Sequence, residues 1–366
     1  MTYDCLSQIL KTGIDPRAVT DRLNRLDAGG WQRLCDIAAR HKILPFLYSR
    51  ISESYLDIVP PEFFQKLKDM YIINLKENLG LENEMFRIMS VMKESGIVVM
   101  PIKGPAFGNV LYGDVGLRQI SADLDFIVHA ADCDAAGSVI MSVGYPVKGR
   151  REIERDFLHP SAMVPKRHFS FHADGRGSAY KSVELHTYIR GFFTEEDMDD
   201  IWERSGPVPV GDRYIPLMAK EDALIYLSLI SITPLEFVQL KYVLDIHMLV
   251  SGFGRVIDWD AVADHTDRYG LRPSLYFALL LSRDVFRTDV GRDIIGMLRP
   301  GNIPVGLISR YINEQCIFKA PKGIRDKLIV GFLMRRYIYS RSLAEFVGKA
   351  VKKTGVLCHS MLNRQN

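Results

Sequence analysis

Five cysteines in 366 residues (Cys5, Cys35, Cys133, Cys316 and Cys358) are too few and too scattered for a disulfide framework, and none stands in a CxxC pair that would hold zinc. The odd number adds to that argument, and reduced thiols point to a cytoplasmic setting. The chain also lacks a long apolar run. Its longest, "ALIYLSLISITPLEFV" at 223–238, is interrupted by Ser, Thr and Pro and falls short of the roughly 20 residues a membrane span needs. The start, "MTYDCLSQILKTGIDPRAV", has neither an extended apolar stretch nor a small-residue cleavage site, which argues against secretion. Internal repeats with periods of about 20–50 residues and low-complexity tracts are likewise missing, which excludes a solenoid.

Composition is ordinary for a folded protein: 47% hydrophobic, 25% charged, formal net charge +3. The length calls for two or three lobes. The charge is unevenly spread. From Phe318 to Asn366 there are eleven Lys or Arg against two acidic residues, so the tail carries +9 and the remainder −6. A basic end of this kind suits a polyanionic partner, and the alternative is a solvated helix face.

Residues 1–95 read as a helical lobe, with apolar residues three and four apart in "WQRLCDIAARHKILPFLYSRI" and "NEMFRIMSVMKES" and a break at Pro60-Pro61. The pattern changes at Gly96. "GIVVMPIK" has the β-branched density of a buried strand, Gly104-Pro105 opens a short helix, "LDFIV" is a second strand and "AADCDAAGSVIMSVG" a second helix. "HFSFHADG" and "SAYKSVELHTYI" predict a hairpin. Residues 96–217 therefore form a small α/β core. A C-terminal helical lobe follows over 218–320, with "KEDALIYLSLIS" and "EFVQLKYVLDIHMLV" as helices, and a basic helical tail over 321–366. The class is α+β, a small mixed sheet flanked by helical lobes.

The chemistry concentrates in "KGPAFGNVLYGDVGLRQISADLDFIV". Side chains alternate along a strand, so Asp123 and Asp125 share a face, roughly 7 Å apart at about 3.3 Å per residue, while Leu124, Phe126 and Val128 point into the core. Paired carboxylates with no thiol nearby suit a hard cation, Mg²⁺ or Mn²⁺. Turn or cap duty is the other reading of two aspartates at a strand start. Glu184, on the polar face of "SVELHTYI", adds the third carboxylate that two-metal phosphoryl chemistry uses. The helix start at Gly104 suits a phosphate, with Lys103 and Arg118 as flanking cations.

In order, the sequence reads Lys103-Gly104, Leu111-Tyr112, Arg118, Ser121, Asp123-x-Asp125 and Glu184-Leu185-His186. This series, with "KYVLDIHMLV" and "IDWD" beyond it, resembles the uncharacterised nucleotidyltransferase family of the DNA polymerase beta-like superfamily. The resemblance implies a core of about five strands in which Asp123, Asp125 and Glu184 hold two Mg²⁺ ions. It implies transfer of a nucleoside monophosphate from an NTP to an acceptor, with release of pyrophosphate. Better-known members carry Gly-Ser where this chain has Lys103-Gly104, so its phosphate contacts must differ. Lys103, Gly104, Arg118, Ser121 and Lys241 are the nucleotide-binding candidates, and an i,i+4 ion pair with Asp245 is the alternative for Lys241. His168, His186 and Tyr112 are candidate acceptor or phosphate contacts. His168 and His172 also read as sheet-surface residues, and Tyr112 as helix-end packing.

The acceptor is a small molecule, a protein or RNA, most simply through a hydroxyl. Two other classes fit parts of the pattern: a glycosyltransferase using D-x-D, and a non-catalytic module binding nucleotide, peptide or RNA. The short unit between Gly96 and Asp123 disfavours the first, and three retained carboxylates disfavour the second.

Overall fold

The computed structural model describes residues 2–318 apart from 122, 146, 153–166, 173–181, 190–192, 194, 233–238 and 302. The basic tail anticipated over 321–366 lies outside the described residues, as do the first three residues of the helix anticipated at "EFVQLKYVLDIHMLV".

Helices α1 (Thr2–Leu10), α2 (Pro16–Leu23), α3 (Ala28–Arg40), α4 (Leu44–Ser54) and α5 (Pro61–Glu94) build the N-terminal part. Local chemistry sets their ends. The Asp27 carboxylate accepts from the Gly30 amide at 2.6 Å to cap α3, and Pro61 opens α5 at the first helical position, where its missing N–H is not needed. In α5 the buried stripe runs Phe63, Leu67, Asn74, Asn78, Leu81, Met85, Ile88 and Met92. Two asparagines thus stand at core positions.

The sheet contains β1 (Val99–Pro101), β2 (Asp123–Val128), β3 (Val147–Glu152), β4 (Arg167–His172) and β5 (Ser182–His186), in the order β1-β2-β5-β4-β3. Among the described strands only β2 and β5 run parallel; the other neighbours are antiparallel, including the β4–β5 pair expected as a hairpin. Helix α6 (Pro105–Tyr112) joins β1 to β2, and α7 (Cys133–Ser142) follows β2. The five-stranded mixed sheet with its helices places the chain in the α+β class. Beyond the sheet come α8 (Glu195–Arg204) and a separate hairpin of β6 (Gly206–Val210) and β7 (Arg213–Leu217). Neither was anticipated, nor was β3. Helices α9 (Lys220–Ser231), α10 (Leu240–Phe253), α11 (Trp259–Tyr269) and α12 (Arg272–Phe286) complete the part that bears on the site.

The described residues form two hydrophobic cores. One face of the sheet (Leu124, Phe126, Val128, Val183, Leu185) packs on the second half of α5, on α7 and on the β6–β7 hairpin. The other face contributes Met100, Ile102 and Ile127 to a larger core. That core runs continuously from α1, α3 and α4 to α9, α10 and α12, so helices from both ends of the chain share it. The Phe46 and Phe286 rings meet edge to face within it, 6.2 Å between centroids. No helix among the described residues is long and apolar enough to cross a membrane.

Candidate active site

Alternation along β2 puts Asp123, Asp125 and Ile127 on the face opposite Leu124, Phe126 and Val128. The parallel register sets Asp123 beside Ser182, Asp125 beside Glu184 and Ile127 beside His186. Over these two strands the face is therefore polar at every position except Ile127.

Asp125 is buried, and one oxygen does most of its work. Its Oδ1 accepts from the Lys103 ammonium at 2.9 Å and lies 3.1 Å from His186 Nε2. The same imidazole nitrogen is 3.6 Å from Glu184 Oε2. Burial pushes the Asp125 carboxyl up, but Lys103 and His186 together outweigh it and hold the group well below the usual carboxylate range. Burial opposes the Lys103 charge in turn; neighbouring Tyr226 (α9) and Asp125 more than reverse that, with Tyr242 (α10) acting in the same sense. Lys103 thus sits between the sheet and the C-terminal helices.

Ligand atoms of Asp125, Glu184 and His186 all lie within 4.8 Å of one another. The donor set fits a divalent ion. Two donors at right angles on bonds of about 2.1 Å stand about 3 Å apart, and the separations of 3.1 and 3.6 Å are of that size. An imidazole among carboxylates extends the choice from Mg²⁺ towards Mn²⁺. Asp123 shares the face but stands outside this cluster: its Oδ1 accepts from the Ser182 hydroxyl at 2.6 Å.

The remaining candidates fall into two groups. Gly104, at φ +67° and ψ −138°, caps α6 next to Lys103, and the Lys241 ammonium donates to Ser121 Oγ at 2.9 Å. Lys241 is buried, and burial together with nearby Arg118 pushes its ammonium far below the usual lysine range. Arg118 and Tyr112 are turned inward. The Arg118 guanidinium forks the Asp245 carboxylate on α10, Nε to Oδ1 at 2.9 Å and Nη2 to Oδ2 at 2.8 Å, while the Tyr112 hydroxyl donates to the same Oδ1 at 2.8 Å. The i,i+4 reading of Lys241 with Asp245 gives way to this arrangement, because Arg118 offers that carboxylate a two-point match. His168 takes a place on β4 opposite His186 in the register, and its side chain lies outside the described residues.

Sequence reasoning overlooked the supports beneath these groups. Asn74 and Asn78 each donate to the Arg118 carbonyl at 3.0 Å; Asn74 also donates to the Gly116 carbonyl at 2.7 Å and accepts from the Ile120 amide at 2.8 Å. Gly116 is required there, since an added Cβ would lie 2.9 Å from the Tyr71 ring on α5. The signal was two amides on the apolar stripe of α5. Ser182 was signalled by its place two residues before Glu184 on the same strand face.

Among solved structures the chain is similar to the lincomycin-bound lincosamide antibiotic adenylyltransferase LnuA, at 16% identity and TM-score 0.32 over 46% of this chain and 96% of that one. It is also similar to ANT(2'')-Ia in complex with adenylyl-2''-tobramycin, at 10% identity and TM-score 0.36 over 52% of this chain and 97% of that one. A third is an antigenic nucleotidyltransferase-like protein from Paracoccidioides brasiliensis, at 12% identity and TM-score 0.31 over 57% and 92%. No curated protein matches the chain at a significant level. Residues 27–287 match the family described as uncharacterised nucleotidyltransferase, a span that contains the whole donor cluster and its supports. The chain belongs to the uncharacterised nucleotidyltransferase family and is an enzyme of that class.

Proposed function

We propose that the enzyme moves a nucleoside monophosphate from an NTP to a hydroxyl acceptor and releases pyrophosphate, with Mg²⁺ or Mn²⁺ as cofactor. The observation that carries this reading is the Asp125–Glu184–His186 donor set on one sheet face, within the stretch that matches the family. When bound, one or two divalent ions neutralise the triphosphate and polarise its α-phosphoryl group. Asp125, Glu184 and His186 would hold them, and Asp123, on the same face but outside that cluster, would be the further carboxylate.

Glu184 keeps 28% of its side chain exposed against 3% for Asp125. It is therefore the carboxylate that meets an incoming acceptor and takes the hydroxyl proton. As the acceptor oxygen bonds to the α-phosphorus, the bond from that phosphorus to the bridging oxygen breaks and pyrophosphate leaves. Gly104 and the start of α6 receive phosphate oxygens, with Lys103, Ser121 and Lys241 beside them. We assign Arg118 and Tyr112 positioning roles, since both act through Asp245 to hold α10 against the loop before β2. The acceptor class stays open between small molecule, protein and RNA, and the basic tail is the part suited to a polyanion. A reaction that consumes NTP needs a compartment that supplies it, so we place the enzyme in the cytoplasm.

The test is thermal unfolding with each of the four common NTPs, with and without Mg²⁺ or Mn²⁺, on wild type and on Asp125→Asn/Glu184→Gln. A ligand at about 100 times its dissociation constant adds about 2.7 kcal/mol of apparent stability, a shift of several degrees. The expected result is a metal-dependent shift with at least one NTP that disappears in the variant. No shift with any NTP in the presence of either metal overturns the proposal.

A further inference from the structure

The oxygen of Asp125 that faces the other donors is also the one that carries the lysine. Oδ1 lies 3.1 Å from His186 Nε2 and 2.9 Å from Lys103 Nζ. A divalent ion bound to that oxygen and to His186 must therefore come close to an ammonium already seated there. Like charges that close repel strongly in a poorly hydrated site. A buried carboxylate beside Glu184, for its part, does not stay ionised without a counter-cation. The divalent ion and the ammonium therefore compete for Asp125 Oδ1.

Lys103 is placed to leave. Its side chain is 20% exposed, it follows the short strand β1, and the residue after it is Gly104 at φ +67°. An ammonium displaced from Asp125 remains tethered at the start of α6, the same place that suits phosphate oxygens. Resting on the metal-site reading above, we propose that Lys103 is a displaceable counter-cation. It holds Asp125 in the ion-free enzyme, gives up Oδ1 when the divalent ion enters, and then pairs with the triphosphate. Metal alone binds weakly because it must evict a cation. Metal and NTP bind cooperatively because the nucleotide gives the evicted ammonium a new partner.

The test measures Mn²⁺ binding to the full chain by titration calorimetry and by the electron paramagnetic resonance signal of free Mn²⁺. Wild type, Lys103→Met and Lys103→Arg are compared, first without nucleotide and then with an NTP analogue whose α,β-bridge cannot be cleaved. Circular dichroism establishes that each variant is folded. If Lys103→Met is too unstable to purify, Lys103→Gln keeps a polar group without the charge and serves the same comparison. The expected result is at least tenfold tighter Mn²⁺ binding by Lys103→Met without nucleotide, near-wild-type binding by Lys103→Arg, and a smaller gain on adding the analogue in Lys103→Met. Equal or weaker Mn²⁺ binding by a folded charge-removed variant overturns the displacement and leaves the metal site standing. No Mn²⁺ binding by any of the proteins overturns the metal-site reading and the displacement with it.

Discussion

Replacing Asp245 by Ala tests the joint between the sheet region and the C-terminal helices. Asp245 has no exposed surface, and its two oxygens take three hydrogen bonds, two from Arg118 and one from the Tyr112 hydroxyl. Without it the Arg118 guanidinium is a buried charge with no counterion, an arrangement that costs about 3–5 kcal/mol. The Tyr112 hydroxyl loses its acceptor as well, which adds about 1 kcal/mol. Buried Lys241 on the same helix makes matters worse, because Arg118 already disfavours its charge and Asp245 partly offsets that. The expected loss of roughly 4–6 kcal/mol is comparable with the whole stability of many domains, about 5–15 kcal/mol. At about 2 °C per kcal/mol for a chain of this size, the midpoint falls by roughly 8–12 °C. Urea unfolding followed by circular dichroism, with a calorimetric scan, reads both quantities. The double variant Arg118→Met/Asp245→Leu removes both charges and fills the space, so it recovers most of the loss. A loss below about 1 kcal/mol for Asp245→Ala would refute the claim that this joint depends on a buried, paired charge.

Two further outcomes follow from single residues. His247 is buried on α10 with its Nδ1 2.9 Å from the Thr288 hydroxyl, and burial, aided by Arg50, lowers it from 6.5 to about 4. A depressed histidine means that the unfolded chain binds the proton more tightly, so stability is complete above the unfolded value and is lost as pH falls from 6.5 towards 4. The full loss is about 3 kcal/mol, and His247→Gln flattens the stability profile in that window; an unchanged profile contradicts the assignment. Gly104→Ala has open space around the new methyl, with nothing within 4 Å, yet φ of +67° with ψ of −138° strains any L side chain. The expected cost is about 1–3 kcal/mol by urea unfolding, and an unchanged midpoint would show that the turn relaxes freely.

What was legible in the sequence was short-range. The alternation of β2 put Asp123 and Asp125 on one face, and that of β5 put Glu184 and His186 together, because a period of two is carried by neighbouring residues. The β6–β7 hairpin had a signal too, Gly211-Asp212 between Val210 and Arg213, but Pro207 and Pro209 disguised β6 as a loop. Asn74 and Asn78 stood on an apolar stripe, and a buried amide needs partners that the stripe itself cannot supply. Arg118 could be read as a phosphate ligand because its actual partner, Asp245, lies 127 residues away, and no local pattern links the two. The same limit applies to the centre of the site. Which aspartate meets Glu184 depends on how β5 slides along β2, and the segment between them is long enough to leave that register unspecified locally. Packing decides it. With Leu124 beside Val183 and Phe126 beside Leu185 in one core, Asp125 falls opposite Glu184 and Asp123 opposite Ser182. A slip of two residues would keep every apolar side chain on its face and yet seat Asp123 beside Glu184. The two arrangements differ only in which side chains interlock within the core, so the membership of the donor set is a tertiary property of a motif that the sequence states only as a pair.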